Sequence, residues 1–186
     1  MFKQVSIALL SAAMLAGGAS ALQSTVVIGE SAAARCYQNA LNNRSDYGAL
    51  EDCTQAIESD ATTRSDRHKT YVNRAIVYLY MDREEMALND LETAQRTNPE
   101  TAEIYLNLSA TYVRMGRNAE AIEAATEALE RGYSLPHRAY YNRAAAHENA
   151  GNFAAAYRDL QEAARLAPEW PAPRRELERF SIANLS

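Results

Sequence analysis

Cys36 and Cys53 are the two residues of this chain able to form a covalent cross-link. Their midpoint falls between Arg44 and Ser45, inside the polar stretch Asn43-Arg44-Ser45-Asp46, which reads as a hairpin turn. Residues equidistant from the turn of an antiparallel hairpin lie side by side, so the spacing predicts that the two thiols face each other. In an oxidising compartment such a pair closes to a disulfide. Kept reduced, two buried thiols act as small apolar residues. They do not suit a metal, because two thiolates without a nearby histidine leave a tetrahedral site half built. The three histidines, His68, His137 and His147, fall far apart, and His147-Glu148 lacks the second histidine of a metalloprotease helix. No glycine-rich phosphate loop and no serine nucleophile elbow is present. The sequence therefore reads as non-enzymatic and free of cofactors.

What remains is polar chemistry that recurs. Asn73, Asn107 and Asn142 stand at intervals of 34 and 35 residues, each just after an aromatic or apolar residue. A side-chain amide offers two donors and one acceptor, which matches the backbone of an extended peptide. Asparagine is a mediocre helix residue, so a row of three asks for a reason. One reason is peptide recognition; the other is hydrogen bonding between neighbouring elements. Arginine and aspartate recur as well. Arg74 and Asp90 stand 16 residues apart, as do Arg143 and Asp159, whereas Leu108 and Ala124 hold both places in between. Charge is present on both sides or on neither. An unpaired arginine near a core is costly, so the pattern predicts two structural ion pairs.

The elements that position these residues follow from the period. Tyr71, Arg74, Ala75 and Tyr78 return as Tyr105, Leu108, Ser109 and Tyr112, then as Tyr140, Arg143, Ala144 and His147. Ala87, Leu91 and Ala94 return as Ala121, Ala125 and Ala128, then as Ala156, Leu160 and Ala163. Spacings of three and four place each set on one helix face. Between the sets lie turn signals, Asp82-Arg83, Gly116-Arg117-Asn118 and Gly151-Asn152. Each unit is predicted to be a helix hairpin whose alanines allow close approach. Pro99 and Pro168 end the second helix of two units.

This skeleton, with Tyr71-x-x-Arg74-Ala75-x-x-Tyr78, Ala87-x-x-x-Leu91 and Pro99, resembles the tetratricopeptide repeat family. Arg74 and Arg143 depart from the family's leucine, and Tyr133 stands where its proline would be. The resemblance implies an all-α, right-handed superhelical array of helix-turn-helix repeats, with units at about 32–63, 68–101, 102–135 and 137–170. It also implies a concave groove lined by the first helices, which binds a protein or peptide. By resemblance the groove positions include Lys69, Val72, Asn73, Ile76 and Tyr80. The next units add Leu106, Asn107 and Arg114, then Arg138, Tyr141 and Asn142. Tyr-x-Asn-Arg-Ala is similar to the chaperone-binding members of the family, whose asparagine and basic residues clamp a terminal carboxylate. That likeness reaches Asn73, and a shifted register of the first helix would add Arg35 and Asn39. Asn142 does not match the basic residues of the clamp's third helix. The alternative function is a structural subunit of an envelope complex or homo-oligomer, with no dedicated peptide ligand.

The ends differ from the repeats. Residues 1–21 carry one charge, Lys3, then an apolar run and the small residues Gly17 to Ala21. That is the pattern of a cleaved secretory signal, and the run is short for a membrane span. The expected location is periplasmic or secreted, without membrane insertion after cleavage. Residues 22–31 contain Val26-Val27-Ile28, which suit an extended segment, although a frayed terminus is the other reading. Residues 32–60 form a degenerate first unit, in which Ala49, Cys53 and Ala56 keep the spacing of Ala87, Leu91 and Ala94. Its turn reads one residue shorter, which leaves its first helix open by one in register. Residues 171–186 read as a capping helix, with Trp170 packed in the core at the junction. The net charge of −5 becomes one unit more negative without Lys3, which disfavours nucleic acid and anionic membranes as partners.

Overall fold

In a computed structural model, residues 31–59, 63 and 66–183 are described, with side chains to Phe180. The expected signal peptide and the segment 22–30 lie outside the described residues. Nine helices and no strand occur among the described residues. The first eight form four antiparallel hairpins: α1 (Ala32–Leu41) with α2 (Tyr47–Glu58), and α3 (Arg67–Tyr80) with α4 (Glu84–Thr97). The third is α5 (Ala102–Arg114) with α6 (Asn118–Glu130), and the fourth is α7 (Pro136–Asn149) with α8 (Phe153–Leu166). Each hairpin stacks on the next, and α9 (Pro171–Ala183) closes the array against α8.

All four hairpin turns are built alike. The second residue after the first helix adopts a left-handed conformation, at Asn43 (φ 57°), Asp82 (φ 54°), Gly116 (φ 71°) and Gly151 (φ 77°). The next N–H then reaches back to a carbonyl five residues earlier: Arg44 to Asn39 (3.0 Å), Arg83 to Tyr78 (3.0 Å), Arg117 to Tyr112 (2.9 Å) and Asn152 to His147 (2.8 Å). This bond satisfies an orphan carbonyl of the helix end. Glycine takes that conformation without strain, and Asn and Asp are among the few other residues that tolerate it.

Alanine dominates the helix contacts. Ala75, Ala87 and Ala94 are fully buried in the second hairpin, as are Ala121, Ala125 and Ala128 in α6. A methyl-sized contact brings the helices close, while Leu91, Val77 and Ile104 fill the larger gaps. One continuous core runs from Cys36 to Ala139. A second gathers Ala144, Ala156 and Leu160 under Phe180 of α9, with Tyr141 and Leu177 packed against it. The cap therefore removes from water a face that the last hairpin would otherwise expose.

In the first hairpin, Cys36 and Cys53 form a disulfide, and both are fully buried. The first turn is longer than the others, not shorter: it spans 42–46, against 81–83, 115–117 and 150–152. Arg35 meets Asp52 across 17 positions, whereas Arg74 meets Asp90 across 16. The added length lets Asp46 cap α2: its carboxylate accepts from the Ala49 N–H at 2.9 Å and holds Arg44 at 2.7 Å. The cap satisfies a donor that the shorter turns leave without a side-chain partner.

Candidate binding groove

The first helices α3, α5 and α7 lie side by side, because each hairpin repeats the same packing. Between them and the segment 167–170 lies an open cleft of about 870 Å³. Tyr80, Leu106, Asn107 and Ala110 form one wall; His137, Arg138, Tyr141 and Asn142 of α7 form the floor. Ala167 to Trp170 form the other wall. The turn that holds Trp170 is tied by its N–H to the Ala167 carbonyl at 3.0 Å. Its ring lies 4.9 Å from Tyr141 and 5.4 Å from His137, centroid to centroid. Trp170 is thus a half-buried wall of the cleft, which corrects its reading as core. The rings of α7 support it from below and leave part of it facing the cleft. Its position relative to α7 is set by the bend before α9, which carries no periodic signal.

The electrostatics of the cleft are mild. Burial, and then Arg138, hold His137 below its ordinary pKa, so the imidazole is neutral at pH 7. Burial, and then Glu176, push the Tyr141 hydroxyl up. Arg138 is exposed on the floor and forms no salt bridge among the described residues. Glu169 stands on the opposite wall.

Six of the eleven groove positions read from the sequence line this cleft: Tyr80, Leu106, Asn107, Arg138, Tyr141 and Asn142. The other five do not. Lys69 is exposed and pairs with Asp66 at 2.9 Å. Val72 is buried and Ile76 packs against the core. Asn73 is half-buried and makes no side-chain hydrogen bond among the described residues. Arg114 is held by Glu84 at 2.7 Å and by Asp82. Arg35 and Asn39 do not line the cleft, and both donate to Asp52, at 2.6 and 2.9 Å. Both are engaged within the first hairpin rather than with α3.

The three asparagines are not equivalent. Asn142 donates to Ser109 Oγ at 2.9 Å and to the Leu106 carbonyl at 3.4 Å, so it ties α7 to α5. Asn107 donates to the Glu103 carbonyl one turn earlier on its own helix, at 2.8 Å. That carbonyl already belongs to the helix, so the amide of Asn107 can turn outward at small cost.

On the side away from the cleft, Arg74 donates twice to Asp90, at 2.7 and 2.8 Å, and once to Thr54 Oγ at 3.1 Å. Arg143 repeats this with Asp159, at 2.8 and 2.9 Å, and with Thr126 Oγ at 3.0 Å. Each arginine therefore staples its hairpin to the preceding one. Arg35 and Asp52 form a third pair that the 16-residue spacing hides. The disulfide carries the signal for it, as these residues directly precede Cys36 and Cys53.

The sequence model of the tetratricopeptide repeat matches residues 102–131 and 137–169, the third and fourth hairpins. The third and fourth hairpins are thus similar in sequence to tetratricopeptide repeats. Solved structures share the fold of the array. MamA from Desulfovibrio magneticus RS-1 superposes with a TM-score of 0.67 at 16% identity, covering 84% of this chain and 86% of that one. The tetratricopeptide domain of Arabidopsis OM64 gives 0.60 at 19% identity, covering 63% and 96%. The first such domain of human RPAP3 gives 0.61 at 18% identity, covering 65% and 94%. At these identities the likeness is one of fold. No curated protein sequence matches the chain. Tetratricopeptide repeats form protein–protein interaction modules, typically without catalysis. Among the described residues, no helix of the repeat protein is long and apolar enough to cross a membrane.

Proposed function

We propose that the repeat protein binds an extended peptide segment of a partner protein in the cleft between α3, α5, α7 and Trp170. The observation that carries this reading is the cleft itself: an open channel with aromatic walls and one unneutralised arginine on its floor. Aromatic rings bury large areas at low entropic cost, so they suit the anchoring of a few side chains. Leu106 and Tyr80 extend the apolar wall, Asn107 bonds the peptide backbone, and Arg138 orients an acidic flank. The neighbouring ion pairs of Lys69 and Arg114 leave those cations a smaller share in binding.

The test uses the chain's own reporter. Trp170 is its one tryptophan, so intrinsic fluorescence reads the cleft and little else. Peptides selected against the full chain from a random library should perturb that emission saturably. Asn107→Ala and Tyr141→Ala should weaken them while the fold stays intact. Selected peptides that leave the emission unchanged, or bind Asn107→Ala and Tyr141→Ala equally well, would place recognition elsewhere. We propose further that the protein works in an oxidising, exported compartment. The buried disulfide and the pattern of residues 1–21 support this. Fractionation with thiol trapping tests it: a cytosolic protein with two free thiols would refute it.

A further inference from the structure

The two arginine staples frame an odd unit between them. In the second hairpin the Arg74 guanidinium lies between two rings, 5.7 Å from Tyr71 and 5.8 Å from Tyr78. In the fourth, Arg143 lies 5.3 Å from Tyr140. The third hairpin keeps the ring pair, Tyr105 and Tyr112, but Leu108 and Ala124 replace the arginine and its aspartate. Both replacements are buried. Above Leu108, between α4 and α6, an open notch of about 230 Å³ is lined by Tyr105, Leu108, Tyr112, Glu123 and Glu127.

Ala124 removes the aspartate that takes two bonds of each staple, but the position of the third acceptor keeps one. Thr54 and Thr126 each accept from the staple of the following hairpin. The position equivalent to both, on α4, is Glu92, a stronger acceptor than a hydroxyl. Three carboxylates line the notch, Glu120, Glu123 and Glu127, and Glu92 is near enough to act on Tyr112. Arg117 pairs with Glu120 at 2.9 Å and Arg131 with Glu127 at 2.6 Å. Among the described residues, Glu92 and Glu123 have no basic partner in a salt bridge. Burial, and then the charges of Glu92, Glu120 and Glu123, push the Tyr112 hydroxyl up against the opposing pull of Arg117. The rings themselves suit a guanidinium: Arg117 lies 4.6 Å from Tyr112, and Arg131 the same distance from Tyr105.

We propose that this notch docks an arginine side chain of a partner protein, which fills in trans the place that Arg74 and Arg143 fill in cis. The incoming plane packs over Leu108 between the two tyrosines and donates to Glu92 and Glu123. A guanidinium fits better than an ammonium, because it is flat, weakly hydrated and donates in two directions. This surface lies apart from the cleft proposed above, and the two readings stand or fall separately.

The experiment titrates the isotope-labelled full chain with N-acetyl-arginine N-methylamide and follows amide shifts. The control is the citrulline analogue, which keeps the shape and loses the charge. Saturable shifts should centre on Tyr105, Tyr112 and Glu123, with citrulline at least about tenfold weaker. Glu92→Gln should weaken the arginine probe by about two- to fivefold, the range of one partly exposed ion pair. Leu108→Arg with Ala124→Asp rebuilds the staple of the flanking hairpins, so it should fold as before and abolish the shifts. Where that variant fails to fold, Glu92→Gln with Glu123→Gln takes its place, as Glu123 is exposed, Glu92 is only half-buried, and both changes keep the side-chain shape. Equal response to citrulline overturns the proposal. So does unchanged binding in a folded variant.

Discussion

Replacing Arg143 alone should harm the protein more than replacing Arg143 and Asp159 together. Arg143→Leu removes two hydrogen bonds to Asp159 and one to Thr126. Thr126 keeps its bond to the Ile122 carbonyl at 2.8 Å, so its loss is small. Asp159 loses more: its side chain is 11% exposed, and its cation is gone. Breaking a buried pair from one side costs about 3–5 kcal/mol. Arg143 is 20% exposed, so water reaches part of this pair, and we expect ~2–3 kcal/mol. Adding Asp159→Ala removes the stranded charge and copies Leu108 with Ala124, which the third hairpin buries without strain. The double variant should then lose about 1 kcal/mol or less, because apolar isosteres often replace buried pairs at no cost. The single variant should therefore be less stable than the double by about 1–2 kcal/mol, and the coupling energy exceeds that difference by the cost of Asp159→Ala alone. Urea unfolding of all four proteins at pH 7 measures it, provided the slope of each transition stays constant. A coupling near zero would refute the reasoning, since it would mean that Asp159 is solvated without its partner. High salt should change the coupling little, because screening acts on exposed charges.

Reduction of the Cys36–Cys53 bond should destabilise the first hairpin by about 3 kcal/mol, read as a shift of the urea midpoint with and without reductant. Asn142→Ala should cost about 1–2 kcal/mol, because it leaves Ser109 and Leu106 without the α7 amide; Asn107→Ala should stay within about 0.5 kcal/mol. Equal effects of the two in thermal melts would count against the inequivalence of the asparagine row. His137 and His147 are both held below their ordinary pKa of 6.5, chiefly by burial. The unfolded chain therefore binds their protons more readily, so their contribution is present above pH 6.5 and is lost as pH falls through the folded values. Thermal midpoints should decline between pH 6.5 and 5, and His147→Tyr, which copies Tyr78 and Tyr112, should flatten that decline. A slope unchanged by the substitution would assign it to other groups.

Much of this molecule is set by local rules that a sequence displays. Spacings of three and four choose the buried face of each helix, so the alanine rows and the hairpin array were legible from residues alone. The disulfide was legible too, because symmetric placement about a turn puts two side chains opposite each other. The exchange of Arg with Leu and Asp with Ala in one unit is visible because a buried charge cannot be left unpaired. Other features depend on where neighbouring hairpins come to rest. Asn142 and Asn107 occupy the same repeat position, yet only Asn142 finds a hydroxyl on the preceding hairpin, since Ser109 happens to lie within 2.9 Å. Trp170 became a cleft wall because the turn before α9 aims its ring over Tyr141, and no period governs that turn. The longer first turn set Arg35 against Asp52 at a separation of 17, although the spacing of the other units pointed to 16. Which faces are buried follows from periodicity along the chain. Which polar groups remain free is decided by contacts between elements, because a hydrogen bond depends on ångström distances that sequence spacing does not encode.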